Sequence, residues 1–286
     1  MTGTRPIRRV LLALGLAALA CGQSISAESA QGAAPPGSQQ EDARMLILLR
    51  EKLPPAAQPL PPPSSDLKNL EGTWIANKLT LLRMRQDLAG NELPLTEKAR
   101  AILERRATAT YVDNRPFANP GIWCLPPGQP WQLGLLYPFQ ILQSGSAVTF
   151  YFSEYHTVWN VLLKSGERSA GEERTYMGNS IAHWESDTLV VETEGYRQGL
   201  WLDPDGTPIS RNARLTLRVR RLKEMPELEI VTTVDDPEMY TRPWSFAQTF
   251  AWRPDMEVFA EYDCERKVAA PGYLKEFSLE VERDSP

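Results

Sequence analysis

Histidine and cysteine are scarce in this chain of 286 residues, which contains two His and three Cys. The histidines, His156 and His183, have no cysteine near them in the sequence, so the ligand spacings of zinc sites are missing. A glycine-rich phosphate loop and a G-x-S-x-G nucleophile elbow are missing as well. We therefore expect no metal and no other cofactor, and an enzyme of this sequence would depend on general acid–base chemistry.

A basic surface and a second long hydrophobic run are also missing. The net charge is −5, with acidic and basic residues interspersed, so a nucleic-acid partner is not expected. Beyond the N-terminus, no apolar run approaches the roughly 20 residues that a membrane-spanning helix needs. These observations predict a mature chain that is soluble or tethered to a membrane only at its start.

The first twenty residues have the three parts of a bacterial secretory signal. Three arginines precede an apolar run over residues 10–20, and small residues, Ala18 and Ala20, stand at positions −3 and −1 of a cut before Cys21. A transmembrane anchor is the alternative, but the run is too short for one. We expect residues 1–20 to be a signal peptide and the protein to be periplasmic or otherwise exported.

The three cysteines fit export. Lipidation of Cys21 would tether the protein to a membrane, although Ala18 and Leu19 match the usual lipoprotein box poorly, and simple cleavage is the alternative. Cys124 and Cys264 are then the remaining pair, and in an oxidising compartment two cysteines most simply form a disulfide. Two buried free thiols are the alternative to that bridge.

Composition divides the chain into four parts. The signal is followed by a flexible, Pro-rich leader over residues 21–66, in which residues 54–65 hold six prolines. A folded domain is expected over residues 67–268, and a C-terminal tail over residues 269–286.

The folded part has the pattern of a mainly β domain. Thr96 is the expected N-cap of a helix that ends near Ala107, and a second short helix is expected over residues 45–53. The other periodic segments alternate as strands with turn residues between them, as in residues 213–222. We predict an antiparallel closed barrel, lipocalin- or calycin-like, with one or two short helices. A Gly72-Thr73-Trp74 motif near the first strand agrees with this fold.

One stretch carries a family resemblance. Residues 177–193, MGNSIAHWESDTLVVET, resemble the signature of a large family of exported, mostly uncharacterised bacterial proteins, and the resemblance covers the chain from about Leu70 to Arg266. The chain also resembles, less closely, enzymes that degrade lignin-derived phenylcoumaran dimers as cofactor-independent decarboxylases or formaldehyde-releasing lyases. The family commonly has His where Asn179 stands and Arg where His183 stands.

Glu154 and His156 are the candidate catalytic pair. In a strand running through residues 148–162, with a bend near Ser153, side chains alternate, so Glu154, His156 and Asn160 would share one face. If that face lines the barrel, a carboxylate and an imidazole lie about 7 Å apart and serve one ligand as acid and base. If that face is outside, both side chains belong to an ordinary solvated surface.

Further side chains are candidates for binding an aromatic ligand. They are Tyr111, Arg115, Tyr151, Asn160, Tyr176 and His183. Three functions follow from these residues and the resemblance. The first is a lyase that cleaves a carbon–carbon bond, by deformylation or decarboxylation, in a lignin-derived phenolic dimer. The second is a lipocalin-like periplasmic carrier of a small hydrophobic molecule, and the third is a non-catalytic envelope protein with a packed barrel.

Overall fold

A computed structural model describes residues 58–77, 86–112, 125–135, 137–163 and 173–258, together with Ala56, all within one compact unit, Pro35–Pro286. The predicted signal peptide, C-terminal tail and helix over residues 45–53 lie outside the described residues. So do Cys21, Arg115, Cys124 and Cys264, whose predicted roles stay predictions. Within the described part, none of the helices has the length and apolar character that a bilayer crossing requires.

The domain is a closed barrel of nine strands in chain order, with β9 pairing back onto β1. The strands are β1 Gly72–Ala76, β2 Phe139–Gln143, β3 Ala147–Phe152, β4 Val158–Leu163, β5 Asn179–Glu185, β6 Thr188–Glu194, β7 Arg214–Arg221, β8 Glu227–Asp235 and β9 Trp244–Trp252. The predicted mainly β barrel is therefore confirmed. Its pairing is mixed, because β4 and β5 run parallel while every other neighbouring pair is antiparallel.

The parallel pair follows from the number of strands. Strand directions cannot alternate all the way around a closed ring of nine, so at least one neighbouring pair must be parallel. A parallel pair needs a crossover connection of a dozen or more residues. The stretch between β4 and β5, residues 164–178, is long enough for that connection, whereas β5 and β6 are joined by a tight turn at Ser186 and Asp187.

Aromatic and aliphatic side chains fill the barrel. On each strand alternate residues point inward, as in β7, where Leu215, Leu217 and Val219 are buried and Arg214, Arg218 and Arg220 are exposed. The largest fully buried side chains are Trp74, Trp159, Tyr196, Tyr240, Phe139, Phe150 and Phe250. The alternation predicted for residues 213–222 is confirmed, and the inward face of β4 is the one that carries Trp159 and Val161.

The helix α1, Glu97–Ala107, begins and ends where the sequence predicts. Thr96 is its N-cap, and the Oγ1 atom accepts a hydrogen bond from the Ala99 N–H at 3.2 Å. The same hydroxyl donates to the Glu238 carbonyl at 3.1 Å, which ties the helix start to the β8–β9 connection. At the other end the buried Arg106 donates to the Gly206 carbonyl at 2.9 Å.

The Pro-rich leader contacts the barrel before the predicted domain start. Trp252 of β9 donates its indole N–H to the Pro61 carbonyl at 2.8 Å, and Arg221 of β7 donates to the carbonyls of Asp66 and Asn69 at 3.1 Å each. The last residues of the leader are therefore part of the folded unit.

Trp252 also explains the Gly72-Thr73-Trp74 motif. Trp74 is fully buried, with its indole edge against the Trp252 ring at 5.1 Å between centroids. Gly72 has a φ of +131°, and a Cβ there would overlap the Trp252 ring. A glycine is required at this point for both reasons.

We expect Gly72→Ala to lower the free energy of unfolding by about 2 kcal/mol or more, because the methyl group adds overlap and strained backbone. Urea denaturation measures the change. Gly145→Ala is the matched control, since no atom lies within 4 Å of a Cβ there and its φ is ordinary. Equal stabilities for the two variants would contradict this role of Gly72.

Candidate functional site

A groove of about 530 Å³ lies beside β4 and the start of β5. Its walls are Pro126, the turn residues Tyr155, His156 and Thr157, the β4 residues Val158, Trp159, Asn160 and Leu162, and the segment from Thr175 to Ile181. The volume is within the range of small-molecule sites. Aromatic rings and polar side chains both line it, so it suits an aromatic molecule that carries polar groups.

The groove exists because β4 and β5 pair over a short distance. Their ladder covers only Val161 to Leu163 on β4. Before that point, Thr175 pairs on the other side, where its N–H donates to the Gly195 carbonyl at 3.1 Å and its carbonyl accepts from the Arg197 N–H at 2.9 Å. The segment that leads into β5 therefore diverges from β4, and the groove is the space between them.

Trp159 lies at the inner side of the groove and is held by a chain of hydrogen bonds. Its indole N–H donates to Ser180 Oγ at 2.7 Å, and Ser180 Oγ lies 2.8 Å from Thr193 Oγ1. The Trp159 ring also packs on Phe150 at 4.6 Å between centroids. These contacts join β4, β5 and β6 across the interior and give the groove a rigid inner wall.

One end of the groove is the tight turn that joins β3 and β4. The Phe152 N–H donates to the Thr157 carbonyl at 2.9 Å, and between them Tyr155 and His156 adopt left-handed backbone with φ of 60° and 44°. Ser153 Oγ donates to the Pro138 carbonyl at 3.0 Å, which anchors the start of the turn. Left-handed backbone at two adjacent non-glycine residues costs free energy and is often found at functional sites.

Glu154 is the perturbed acid of this turn. Burial raises the pKa of the Glu154 carboxyl from its usual 4.5 to about 7. Its Oε2 atom is buried, and no described residue gives it a hydrogen bond. Burial raises the pKa of the Tyr137 phenol, and the nearby Glu154 carboxylate raises it further. A carboxyl that titrates near neutral pH can both take and return a proton.

The structure brings three of the predicted site residues together. His156, Asn160 and Tyr176 all line the groove. His156 stacks on Tyr151 of β3 with ring centroids 6.4 Å apart, and the Arg197 guanidinium lies 5.0 Å from the centroid of the Tyr176 ring. The Glu154 carboxyl does not line the groove, although Glu154 shares its turn with residues that do.

Two predicted ligand contacts lie elsewhere or partly outside the described residues. His183 is exposed on β5, where its Nε2 lies 3.3 Å from Glu185 Oε1, and Glu185 Oε2 accepts from Arg218 at 2.8 Å. The hydrogen bond from Arg218, and to a lesser extent that from His183, lowers the pKa of the Glu185 carboxyl. Tyr111 belongs to a short π-helical segment, Thr108–Val112, and its side chain lies outside the described residues.

The strand expected over residues 148–162, with a bend near Ser153, is wrong in its middle, where a turn separates two strands. β3 ends at Phe152, the chain turns over residues 153–156, and β4 starts at Val158. Alternation therefore does not carry across the turn, so Glu154 and His156 are turn residues rather than members of one strand face, and His156 is exposed. Asn160 is on the outward face of β4, where its Oδ1 accepts from Thr149 Oγ1 at 2.8 Å.

Sequence reasoning did not select several of the groove residues. Trp159, Met177, Asn179 and Ile181 line it because a parallel pair brings distant segments together. The long connection between β4 and β5 is the signal that could have indicated this pair. No group of His, Cys, Asp or Glu among the described residues is arranged to hold a metal ion.

Comparison of the chain with models of known protein families gives no match, and comparison with curated proteins gives none either.

We expect the contribution of Glu154 to the free energy of unfolding to fall as pH rises from 4.5 to 7. The folded state holds the Glu154 proton more tightly than the unfolded chain, so the stabilisation is complete below 4.5 and lost as pH passes 7. The difference is about 3 kcal/mol at most. Urea denaturation of wild type and Glu154→Gln at pH 5 and pH 8 measures it.

Glu154→Gln removes the ionisable group and should flatten this part of the profile, with its largest gain over wild type at pH 8. Glu192→Gln, which removes an exposed carboxyl on β6, is the matched control and should keep the wild-type profile. A Glu154→Gln profile parallel to wild type would show that this carboxyl is not protonated near neutral pH.

Proposed function

We propose that the chain is a cofactor-independent lyase that cleaves a carbon–carbon bond in a phenolic dimer bound in the groove. One observation carries the proposal: the buried Glu154 carboxyl, with its pKa near 7, lies in the same turn as groove residues. A base and acid poised near the working pH is what proton transfer in both directions requires.

In this proposal Glu154 takes the proton of a side-chain hydroxyl. The oxygen electrons form the carbonyl of released formaldehyde, and the electrons of the broken carbon–carbon bond form a new carbon–carbon double bond. The aryl ether bond of the five-membered ring breaks as this double bond forms, and the phenoxide that leaves takes the proton back from Glu154. The products are a stilbene and formaldehyde, and no electron acceptor is needed.

The groove supports an aromatic substrate. Tyr155 and Tyr176 contribute aromatic rings, His156 and Asn160 contribute polar atoms, and the almost fully buried Trp159 lies on the inner side. Rings of this kind pack on aromatic ligands in offset or edge-to-face arrangements. His156, stacked on Tyr151, is placed to hold or stabilise a phenoxide oxygen as it forms.

The proposal includes the location and the family. The signal-like composition of residues 1–20 favours action in the periplasm, and the stretch over residues 177–193 resembles the exported family. In the barrel this stretch supplies one groove wall, with Asn179 and Ile181, and the β5–β6 hairpin behind it.

A periplasmic binding protein for a small hydrophobic molecule is the second candidate. It is favoured by the position of the Glu154 carboxyl, which is not part of the groove lining. It is also favoured by Asn179, a groove residue where the resembled family commonly has His. A carrier needs the groove but no acid–base pair.

We expect purified protein to convert a phenylcoumaran dimer that bears a hydroxymethyl group to a stilbene, measured by the new near-ultraviolet absorbance and by formaldehyde release. Glu154→Gln should lower kcat by about 100-fold or more, because the proton acceptor is lost. With Glu154 as the base, kcat/KM should rise as pH passes about 7.

Glu192→Gln is the control and should keep the wild-type rate. Stoichiometric binding of the dimer with no stilbene would establish the carrier instead. Turnover that persists unchanged in both Glu154→Gln and His156→Ala would exclude this acid–base assignment.

A further inference from the structure

Gln129 is a fully buried polar side chain that has no hydrogen-bond partner within the described part of the chain. Its exposed fraction is 0%, and neither its amide nitrogen nor its amide oxygen has a hydrogen-bond partner among the described residues. Gln129 precedes a short 3-10 helix, Trp131–Gly134. The Gln132 N–H donates to the Gly128 carbonyl at 2.8 Å, so Gln129 and Gln132 belong to one turn of backbone.

The same region holds further unpartnered atoms. Gln132 is 1% exposed and donates its amide N–H to the Glu154 carbonyl at 3.3 Å, but its Oε1 has no described partner. Across that contact, Oε2 of Glu154 and Oγ1 of the buried Thr157 are also unpartnered. The indole N–H of Trp131, next to Gln132, adds one more.

The chain segments that carry these atoms border the groove. Thr157 is both a groove residue and a member of the unpartnered set. Pro126, from the stretch that leads to Gln129, is another groove residue. A Cβ on Gly128 would contact the Tyr176 carbonyl, so this stretch passes directly against the groove wall that Tyr176 forms.

Burying a polar group without a hydrogen bond costs stability, whereas apolar side chains of similar size would fill the same space at no such cost. Buried polar side chains are normally paired, and a group of neighbouring exceptions needs an explanation. A ligand that supplies the missing partners is such an explanation, and the adjoining groove gives that ligand a place.

The chemistry of the unpartnered atoms defines the ligand group. They include donors, at Gln129 Nε2 and Trp131 Nε1, and acceptors, at the Oε1 atoms of Gln129 and Gln132. Neither residues 128–135 nor residues 153–157 contain Lys or Arg, and Glu154 would repel an anion. A neutral group that both donates and accepts fits this set, and the hydroxyl group is the simplest one.

We propose that Gln129, Gln132 and Thr157 form a subsite that binds a hydroxyl group of the ligand at the end of the groove nearest the β3–β4 turn. This inference rests on the proposed function only in taking an aromatic ligand to occupy the groove. The three residues determine specificity: they select hydroxylated aromatic molecules over equally large ones without a free hydroxyl.

The test uses two fluorescent probes that differ in one group, trans-4-hydroxystilbene and trans-4-methoxystilbene, titrated against the full chain. Neither has the hydroxymethyl group or the ring ether on which cleavage would act, so binding is measured without turnover. We expect wild type to prefer the hydroxylated probe at least about tenfold, because a site built for a hydroxyl rejects the analogue that cannot fill it.

Gln129→Met keeps the size of the side chain, removes two unpartnered atoms and breaks no described hydrogen bond. It should reduce the preference to about twofold or less and raise the midpoint of thermal unfolding. Gln248→Met is the matched control. Gln248 is 2% exposed, with both amide atoms unpartnered among the described residues, and its strand β9 contributes no residue to the groove lining, whereas the stretch of Gln129 contributes Pro126. This variant should raise the midpoint in the same way and keep the preference.

Wild type that binds both probes equally, or binds neither, overturns the subsite, and so does a full preference retained in Gln129→Met. If Gln129→Met does not fold, Thr157→Val serves as the second variant, and it should lose the preference for the hydroxylated probe. The stilbene-forming assay separates this result from the proposed function. Turnover without a preference for the hydroxylated probe would contradict only the proposed subsite. A preference without turnover would contradict only the proposed lyase activity.

Discussion

The odd number of strands in the closed barrel is the constraint on which the candidate site depends. Nine strands cannot alternate around a ring, so one pair must be parallel, and here it is β4 and β5. The ladder between them is short, and the segment before β5 pairs instead with residues that follow β6, through Thr175 and Gly195. The space that this divergence leaves is the groove. From β5 round to β9, longer antiparallel ladders close the wall.

The packed interior then determines where ligand chemistry can occur. Trp159 and Phe150 meet inside the barrel, and the Trp159 indole is held through Ser180 to Thr193. A lipocalin-like function with the ligand at the centre of the barrel would need that space. In this chain the same tryptophan reaches the groove from within. One rigid aromatic residue therefore fills the core and forms the inner wall of the site.

Local patterns predicted most of the fold, and non-local pairing decided the site. The cap at Thr96, the alternation in β7 and the β5–β6 hairpin each depend on a few neighbouring residues, and each is confirmed. Alternation failed at residues 153–156, because the chain reverses there through two left-handed residues that no periodic pattern indicates. His156, Asn160 and Tyr176 were selected for their chemistry and do meet in the groove, but on the outer side of β4 rather than inside the barrel. Their meeting depends on the parallel pair, which the long connection between β4 and β5 permits but does not by itself determine.

The cost of this arrangement bears on what it is for. The Glu154 carboxylate loses solvation when it is buried. The free energy of that lost solvation appears as the raised pKa of the carboxyl. Gln129 and Gln132 add buried amide atoms that no described group satisfies. A barrel selected only for stability would place apolar side chains at these positions, as it does across most of its interior. Several of these unfavourable terms lie around one turn and its neighbouring stretch, and both border the same groove. A site that exchanges protons and hydrogen bonds with a ligand requires polar groups that lower the stability of the protein itself. Here such groups lie next to the groove that can hold the ligand.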